Sequence, residues 1–282
     1  MAKAELEVVK ISDYIGAELR GVDLRNQDEA MHAAIKQALA ENGVVFLRDQ
    51  DIAPEHHAQL ANGLGRPQER TDPSTAIHGY PYMSAVSKAE DDHANIGNAW
   101  HIDQTYQQEP PTTTILVARE LPNRGGDTLF SSTAAAYASL SEGLQAVLDS
   151  LDAVHSNDSV VAKSSRLQGR TVLPEATHPA VLCNPYTGRK SLYVTKGYTQ
   201  RFAGWTAEDS APLLAHLTAI AQRPEFQVRW NWKPGSIAIW DNSQVWHYAT
   251  NDYQGRRRYM ERITVRDWNI AANRAVATRN AA

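Results

Sequence analysis

The sequence predicts a mainly β fold, an antiparallel β-sandwich or barrel with helices packed against it, for a chain of 282 residues. Strand-like patterns dominate the last third of the chain, where residues 226–232, 236–240 and 258–265 follow one another. The helical patterns lie mostly earlier, as expected for helices that support a sheet. No internal repeat, low-complexity tract or linker divides the chain, so one domain spanning residues 1–282 is the simplest organisation.

Three helices are predicted from apolar residues at helical spacing. The first covers residues 27–41 and ends at Asn42-Gly43, the second covers residues 141–151, and the third begins at Thr206. After the first helix, "VVFLR" predicts a buried strand. The apolar faces of the helices are expected to pack as layers on the sheet, and they contain Met31, Ile35, Ala38 and Leu39, then Leu144, Leu148 and Leu151, then Leu213, Leu214, Leu217 and Ile220.

The composition is that of an ordinary soluble protein. Hydrophobic residues make up 42% of the chain and the formal net charge is -4, which is enough apolar material for one large core. Because no signal peptide or membrane span is recognised, we expect a cytoplasmic protein without a membrane partner. The charge is mildly acidic and mostly unclustered, which disfavours a nucleic acid partner. The single cysteine excludes internal disulfides and thiolate zinc clusters.

His101 and Asp103, two residues apart in "GNAWHIDQTY", are the first candidates for a metal site. If this segment is extended, both side chains point to the same face and can reach one ion. The alternative is a polar turn after Trp100, and the pair alone does not exclude it because two-residue patterns are common by chance. A metal site therefore requires a third ligand.

His247 is the candidate for that third ligand. It follows "IAIWDNSQVW", at the end of an apolar strand segment, where a sheet presents a side chain to a cavity. Two histidines and one carboxylate leave other positions around an ion open, an arrangement that suits iron(II) oxygen chemistry. A structural metal more often has all its positions filled by protein.

The basic segment "RRRYMERITV" supplies two arginines to the same interior. If it is extended, Arg258, Met260, Arg262 and Thr264 share one face. Two inward guanidinium groups require anions, either internal carboxylates or acidic ligands, because unpaired buried charges are too costly to keep. The alternative is an exposed, basic edge strand, which fits Arg256 and Arg257 better.

These motifs resemble those of the TauD/TfdA family, the Fe(II)- and 2-oxoglutarate-dependent dioxygenases that include taurine dioxygenase and 2,4-D dioxygenase. The resemblance covers nearly the whole chain, from "IGAELRGVDL" through "WHIDQTY" and "PNRGGDTLF" to "WDNSQVWHYATNDYQGRRRYMERITV". The family pattern is HxD, a distal histidine, and an arginine eleven residues after it. Here Arg258 stands at that offset from His247.

The resemblance implies a double-stranded β-helix, a jelly-roll or cupin-like fold, with a defined set of site residues. His101, Asp103 and His247 would be the iron ligands and catalytic centre, with His101 and Asp103 ending a strand at the mouth of the barrel. Arg258 and Thr128 would bind the distal carboxylate of 2-oxoglutarate, a role that suits a planar guanidinium and a hydroxyl donor. The cofactors implied are Fe(II) with 2-oxoglutarate and O2 as co-substrates, and a homo-oligomer is expected.

The implied reaction hydroxylates a small organic anion while 2-oxoglutarate becomes succinate and CO2. Sulfonates, sulfate esters, aryloxyalkanoates and related carboxylates are the expected substrates, often with collapse to an aldehyde or ketone and a leaving group. By the same resemblance Arg262, four residues beyond Arg258, would hold the anionic head group, assisted by His78. Further candidates for the pocket wall are Asn98, Gln104, Tyr80 and Tyr82.

Other functions stay open at this point. The same chemistry could act on an amino acid or a natural-product carboxylate, with hydroxylation or desaturation as the outcome. A non-catalytic jelly-roll binding protein would have no need to keep the triad together with Arg258 and Thr128. A zinc hydrolase could use the same three ligands, but it would not require an arginine at the co-substrate position.

Overall fold

The computed structural model of the chain describes residues 6–69, 75–158, 161 and 172–274. The helices are α1 (Glu29–Asn42), α2 (Pro54–Leu64), α3 (Thr133–Ala138), α4 (Glu142–Asp149) and α5 (Ala207–Ala221). The strands are β1 (Glu7–Lys10), β2 (Ala17–Arg20), β3 (Val44–Leu47), β4 (Arg66–Pro67), β5 (Ala76–Ile77), β6 (Tyr80–Lys88), β7 (Thr113–Glu120), β8 (Thr128–Ser132), β9 (Asp152–His155), β10 (Ala176–Pro179), β11 (Val181–Cys183), β12 (Lys190–Leu192), β13 (Thr199–Phe202), β14 (Gln227–Trp230), β15 (Ile237–Asp241), β16 (Val245–Ala249) and β17 (Arg258–Arg266).

Two facing sheets form the centre of the described fold. The larger has nine strands, in the order β1-β2-β3-β15-β7-β17-β6-β5, with β4 paired to β17. The smaller has the order β14-β8-β16. Every pairing in these two sheets is antiparallel except that of β2 with β3. This is the predicted mainly β fold, and its strand-rich C-terminal third supplies strands to both sheets.

The central strands of the large sheet are buried on both faces because successive side chains point in opposite directions. On one face, Val45 and Ile239 belong to a core cluster that includes Leu39 of α1 and Leu60 of α2. On the other face, the neighbouring residues pack between the two sheets in a second cluster that includes Phe46, Trp240, Phe130, Trp230 and Trp232. Helices therefore cover one face of the large sheet and the small sheet covers the other.

The predicted helices are present, and their ends have local causes. The carboxylate of Asp28 accepts a hydrogen bond from the Met31 amide and begins α1, which ends before Gly43 at φ 74°. The left-handed conformation of Gly43 turns the chain directly into β3. The Thr206 hydroxyl caps α5 in the same manner by accepting from the Asp209 amide. None of the described helices is both long and apolar enough to cross a membrane.

Strand β17 carries the two arginines predicted to face inward. It lies between β7 and β6, and Arg258, Met260 and Thr264 on its inward face are all buried. The sheet period of two then places Arg262 on the same face. The intersheet space thus receives two guanidinium groups from one strand, as the sequence predicted.

Candidate active site

His101, Asp103 and His247 come together at one end of the intersheet space. His247 lies in β16, and its backbone exchanges two hydrogen bonds with His101, at 2.9 and 3.1 Å. The sequence prediction that His101 and Asp103 end a strand is wrong, because His101 forms an isolated bridge and Asp103 lies in the turn that follows. That turn continues through Gln104, whose φ of 54° is in the left-handed region that non-glycine residues rarely adopt.

The three side chains are spaced as ligands of one ion. One ligand atom from each residue lies within 4.8 Å of the others, and Asp103 Oδ1 is 3.8 Å from His101 Nε2 and 3.9 Å from His247 Nε2. His101 Nδ1 is 2.7 Å from the Ala99 carbonyl oxygen, which fixes the proton on Nδ1 and leaves the Nε2 lone pair for a metal. The donor set of two imidazoles and one carboxylate fits a divalent iron with open positions.

The electrostatics of the triad suit metal binding. Burial lowers the pKa of both His101 and His247, so both imidazoles are neutral and hold free lone pairs near pH 7. Burial opposes ionisation of Asp103, but the Arg262 guanidinium and the hydrogen bond from Thr114 favour the carboxylate, and the pKa of this carboxyl lies below its usual value. Asp103 is therefore a carboxylate, and the three groups are ready to bind a cation without losing protons.

A chain of buried hydrogen bonds fixes the orientation of Asp103. Its Oδ2 accepts from the Thr114 hydroxyl at 2.8 Å, and Thr114 Oγ1 accepts from Asn242 Nδ2 at 2.9 Å. The Asn242 side-chain oxygen accepts in turn from Trp240 Nε1 at 3.0 Å. Because Oδ2 is occupied by Thr114, the carboxylate presents Oδ1 to the two histidines. Arg262 Nη1 contacts this Oδ1 at 3.3 Å.

A small cavity of about 40 Å³ beside the triad is lined by Arg258 and Thr128 as well as His101 and His247. Arg258 is only 5% exposed, yet its Nε and Nη2 have no hydrogen-bond partner among the described residues. Burial lowers the pKa of Arg258, but an arginine remains charged at any physiological pH. A buried cation with unused donors requires an anion, so this cavity has the chemistry of a carboxylate-binding site.

Asp127, the carboxylate that interacts electrostatically with Arg258, does not meet that requirement. Asp127 accepts from Arg229 Nε at 2.6 Å and from Asn231 Nδ2 at 2.9 Å, so each of its oxygens already has a partner. Thr128, the next residue, accepts a hydrogen bond from Trp232 Nε1 at 3.0 Å. Its own hydroxyl proton is therefore available for an acceptor in the cavity.

A second cavity of about 180 Å³ adjoins the first and shares His101 and Arg262 with it. Its lining includes Asn98 and Gln104, two residues predicted from the sequence, and the rings of Tyr106 and Tyr198. These two rings pack edge to face with centroids 4.9 Å apart. Arg262 donates a hydrogen bond from Nη1 to Asp103, while its Nε is buried without a partner among the described residues. The second cavity thus combines one cationic group, amide groups and an aromatic wall.

Other residues predicted from the sequence lie elsewhere. His78 is exposed on the turn that joins β5 to β6, and it lines neither cavity in the described structure. Tyr82 and Tyr80 pack edge to face, with ring centroids 6.5 Å apart, against the core cluster between the large sheet and the helices. The structure therefore does not bring His78 and Tyr82 to the triad.

Sequence reasoning missed several residues of the site. Thr114 contacts Asp103 directly, and Asn242 contacts it through Thr114. Thr114 belongs to none of the quoted motifs, and Asn242 lies in the motif that begins at Trp240, where nothing in the sequence marks it as a partner of Thr114. Tyr106 stands three residues after Asp103, inside the quoted stretch, so its position was a usable signal. Trp232 lies at the end of the strand-like pattern of residues 226–232, and only its contacts with Thr128 and Arg258 connect it to the site.

Comparisons with known proteins agree with this geometry. A relative from Pseudomonas putida, an alpha-ketoglutarate-dependent sulfate ester dioxygenase, is 35% identical over 93% of this chain and 89% of its own length. An alkylsulfatase from Acinetobacter baylyi is 33% identical over 93% of this chain and 85% of its own length. The crystal structure of a taurine dioxygenase from Burkholderia xenovorans superposes with a TM-score of 0.79 at 35% identity, and covers 92% of this chain and 90% of that one.

The model of one protein family, described as "Taurine catabolism dioxygenase TauD, TfdA family", matches residues 7–264. This range includes all three members of the triad and both arginines. Together with relatives above 30% identity over nearly the full length, this match agrees with the family resemblance found in the sequence. The protein belongs to the TauD/TfdA family of dioxygenases.

Proposed function

We propose that the protein is an Fe(II)- and 2-oxoglutarate-dependent dioxygenase that hydroxylates a small organic anion, with alkyl sulfate esters and sulfonates as the favoured substrates. The observation that carries this proposal is the buried Arg258, whose unused donors share a cavity with the histidines of the triad. A zinc hydrolase with the same ligands has no need for such a group. The relatives named for sulfate ester and taurine substrates support the choice of anion.

In this proposal the residues of the small cavity bind and orient the co-substrate. Arg258 holds the distal carboxylate of 2-oxoglutarate, and Thr128 donates its hydroxyl proton to the same carboxylate. His101, Asp103 and His247 would hold the iron, and Arg258 would orient the co-substrate beside it. The low polarity between the sheets, including the buried Trp240, keeps bulk water away and strengthens each of these contacts.

Arg262 holds the anionic head group of the prime substrate. It borders both cavities and lies next to Asp103, so a bound sulfate or sulfonate has its adjacent carbon close to the metal centre. Tyr106 and Tyr198 give the organic part of the substrate an apolar surface. Asn98 and Gln104 supply amide donors at the wall of the same cavity. His78 and Tyr82 have no role in this proposal.

When bound, iron and the co-substrates supply the oxidative chemistry, in which 2-oxoglutarate, O2 and a substrate C–H group become succinate, CO2 and a C–OH group. Hydroxylation of the carbon that bears a sulfate ester oxygen gives an unstable product. That product separates into an aldehyde or ketone and inorganic sulfate. The corresponding product of a sulfonate releases sulfite.

We propose further that residues 1–282 act as one catalytic domain, since the triad and both arginines are drawn from positions spread over residues 101–262. The homo-oligomer and the cytoplasmic location implied at the sequence level stay predictions. Size-exclusion chromatography coupled to light scattering measures the oligomeric state directly.

The test is succinate production by the anaerobically purified, Fe(II)-loaded protein given 2-oxoglutarate and oxygen. The panel contains alkyl sulfate esters, alkyl sulfonates, aryloxyalkanoates and amino acids of similar length. We expect the sulfate esters or the sulfonates to stimulate succinate formation well above the uncoupled background, with stoichiometric release of sulfate or sulfite. The Arg262→Ala variant should lose this stimulation while it still binds 2-oxoglutarate.

Other outcomes would assign a different function. Stimulation by aryloxyalkanoates or amino acids alone would support the oxygenase activity but contradict the proposed substrate class. Hydrolysis of a sulfate ester that requires zinc and proceeds without oxygen would overturn the oxygenase. Failure of the Fe(II)-loaded protein to bind 2-oxoglutarate would favour a non-catalytic binding protein.

A further inference from the structure

We propose that Trp232 is a positioning residue of the co-substrate site: it fixes the hydroxyl of Thr128 as a donor and supports the guanidinium of Arg258. The inference rests on the proposed function, because it concerns the site that would hold the distal carboxylate of 2-oxoglutarate. Trp232 contacts both anion-binding groups at once, through its indole N–H and through the face of its ring.

The first contact determines the direction of the Thr128 hydroxyl. A threonine hydroxyl has one proton to donate and two lone pairs, whereas an indole N–H can only donate. The 3.0 Å bond from Trp232 Nε1 to Thr128 Oγ1 therefore occupies a lone pair of Thr128. Since both residues are buried, no bulk water competes for that lone pair. The hydroxyl proton is left to point away from the indole, toward an acceptor in the small cavity.

The second contact concerns Arg258. The central carbon of its guanidinium lies 5.7 Å from the centroid of the Trp232 ring, within the range of a cation–π interaction. Asp127 is already bonded to Arg229 and Asn231, so the nearby acid is not available to hold this guanidinium. An aromatic face stabilises the cation without using its N–H donors. Arg258 thus keeps Nε and Nη2 for a ligand.

The backbone beside Trp232 is held from two directions. The side chain of Asn231 donates to Asp127 at 2.9 Å, and the carbonyl oxygen of Asn231 accepts from Arg48 Nη1 at 2.8 Å. Trp232 itself is 7% exposed and belongs to the core cluster between the two sheets. The indole is therefore a fixed group, which is what a positioning role requires.

Trp230 provides a matched control two residues away. It is also buried, belongs to the same core cluster and stacks on Phe46 with ring centroids 4.0 Å apart. Its Nε1 has no hydrogen-bond partner among the described residues, and no ring contact connects it with Arg258. Trp230→Phe and Trp232→Phe remove the same atoms from the same core, but only the second removes a donor to Thr128.

The experiment measures binding of N-oxalylglycine, an unreactive isostere of 2-oxoglutarate, to the Mn(II)-loaded protein by calorimetry. We expect Trp232→Phe to weaken binding about three- to tenfold, as for loss of one buried hydrogen bond. Trp230→Phe should stay within about twofold of the wild type. In the Thr128→Val background, Trp232→Phe should have little further effect, because the hydroxyl that the indole orients is gone.

Three outcomes overturn the inference, and they differ from failure of the proposed function. If Trp232→Phe and Trp230→Phe weaken N-oxalylglycine binding equally, Trp232 is only a packing residue. The same conclusion follows if the effects of Trp232→Phe and Thr128→Val on binding are fully additive. If Trp232→Phe does not fold, 3-benzothienylalanine at this position retains the bicyclic shape without the N–H, and unchanged binding by it would equally overturn the inference. Failure of the wild type to bind N-oxalylglycine would instead refute the proposed co-substrate site.

Discussion

Replacing Thr114 by valine tests whether the metal centre depends on the hydrogen-bond chain behind Asp103. Valine has nearly the shape of threonine but cannot donate a hydrogen bond. The variant therefore removes the 2.8 Å bond to Asp103 Oδ2 and leaves Asn242 Nδ2 without its acceptor, in a region where Thr114 and Asn242 are fully buried. The three metal ligands themselves remain in place.

The expected magnitude follows from these two losses. Each buried group left without a partner costs about 1–3 kcal/mol, so two such losses should lower the free energy of unfolding of the metal-free protein by about 2–6 kcal/mol. Loss of a hydrogen bond that orients a ligand typically lowers metal affinity about 10- to 100-fold. Without Thr114, Asp103 can rotate and share both oxygens with Arg262, instead of presenting Oδ1 to the histidines.

The assay is anaerobic calorimetric titration of Fe(II), with Mn(II) as an oxygen-stable check, together with urea unfolding of the metal-free protein. Thr114→Ser is the matched control, since it keeps the hydroxyl and loses only a methyl group. We expect the serine variant to bind metal nearly as tightly as the wild type. If valine and serine variants bind metal equally well, the hydrogen bond to Asp103 does not orient the ligand and the reasoning is refuted.

Three further predictions concern single side chains. Asp103→Ala should abolish metal-dependent succinate formation while circular dichroism remains native, and undiminished turnover would contradict the triad assignment. Arg258→Ala should weaken 2-oxoglutarate binding by at least about 30-fold in calorimetry, because a buried charge-assisted contact is lost, whereas affinity for metal alone should change little. His57 is fully buried in α2, and burial lowers its pKa to about 3 from the usual 6.5. The unfolded chain therefore binds a proton that the folded chain does not, and between these pKa values the stability should fall by about 1.4 kcal/mol per pH unit as the pH falls. His57→Leu should reduce the slope of unfolding free energy against pH in this window, and an unchanged slope would show that His57 is not the group responsible.

Much of the fold and of the metal site could be predicted from local patterns. Strand alternation in residues 258–265 correctly placed Arg258 and Arg262 on one inward face, because the side-chain period of a strand is fixed by its backbone. The motif spacing predicted the triad, and the side chains of all three residues converge within 4.8 Å. The predicted local conformation of Asp103 was wrong, because this residue lies in a turn and not at the end of a strand.

The sequence by itself determined the secondary-structure periods, the mainly β class and the ligand types, because these depend on neighbouring residues and on chemistry that each side chain carries alone. Only the tertiary structure decided which distant groups complete the site. Asn242 reaches Thr114 behind Asp103, and Trp232 reaches Thr128, because strands far apart in the chain pair side by side, β15 with β7 and β14 with β8. The same packing left His78 exposed and outside the two cavities. Hydrogen-bond partners are fixed by three-dimensional proximity, for which a single sequence contains no local pattern.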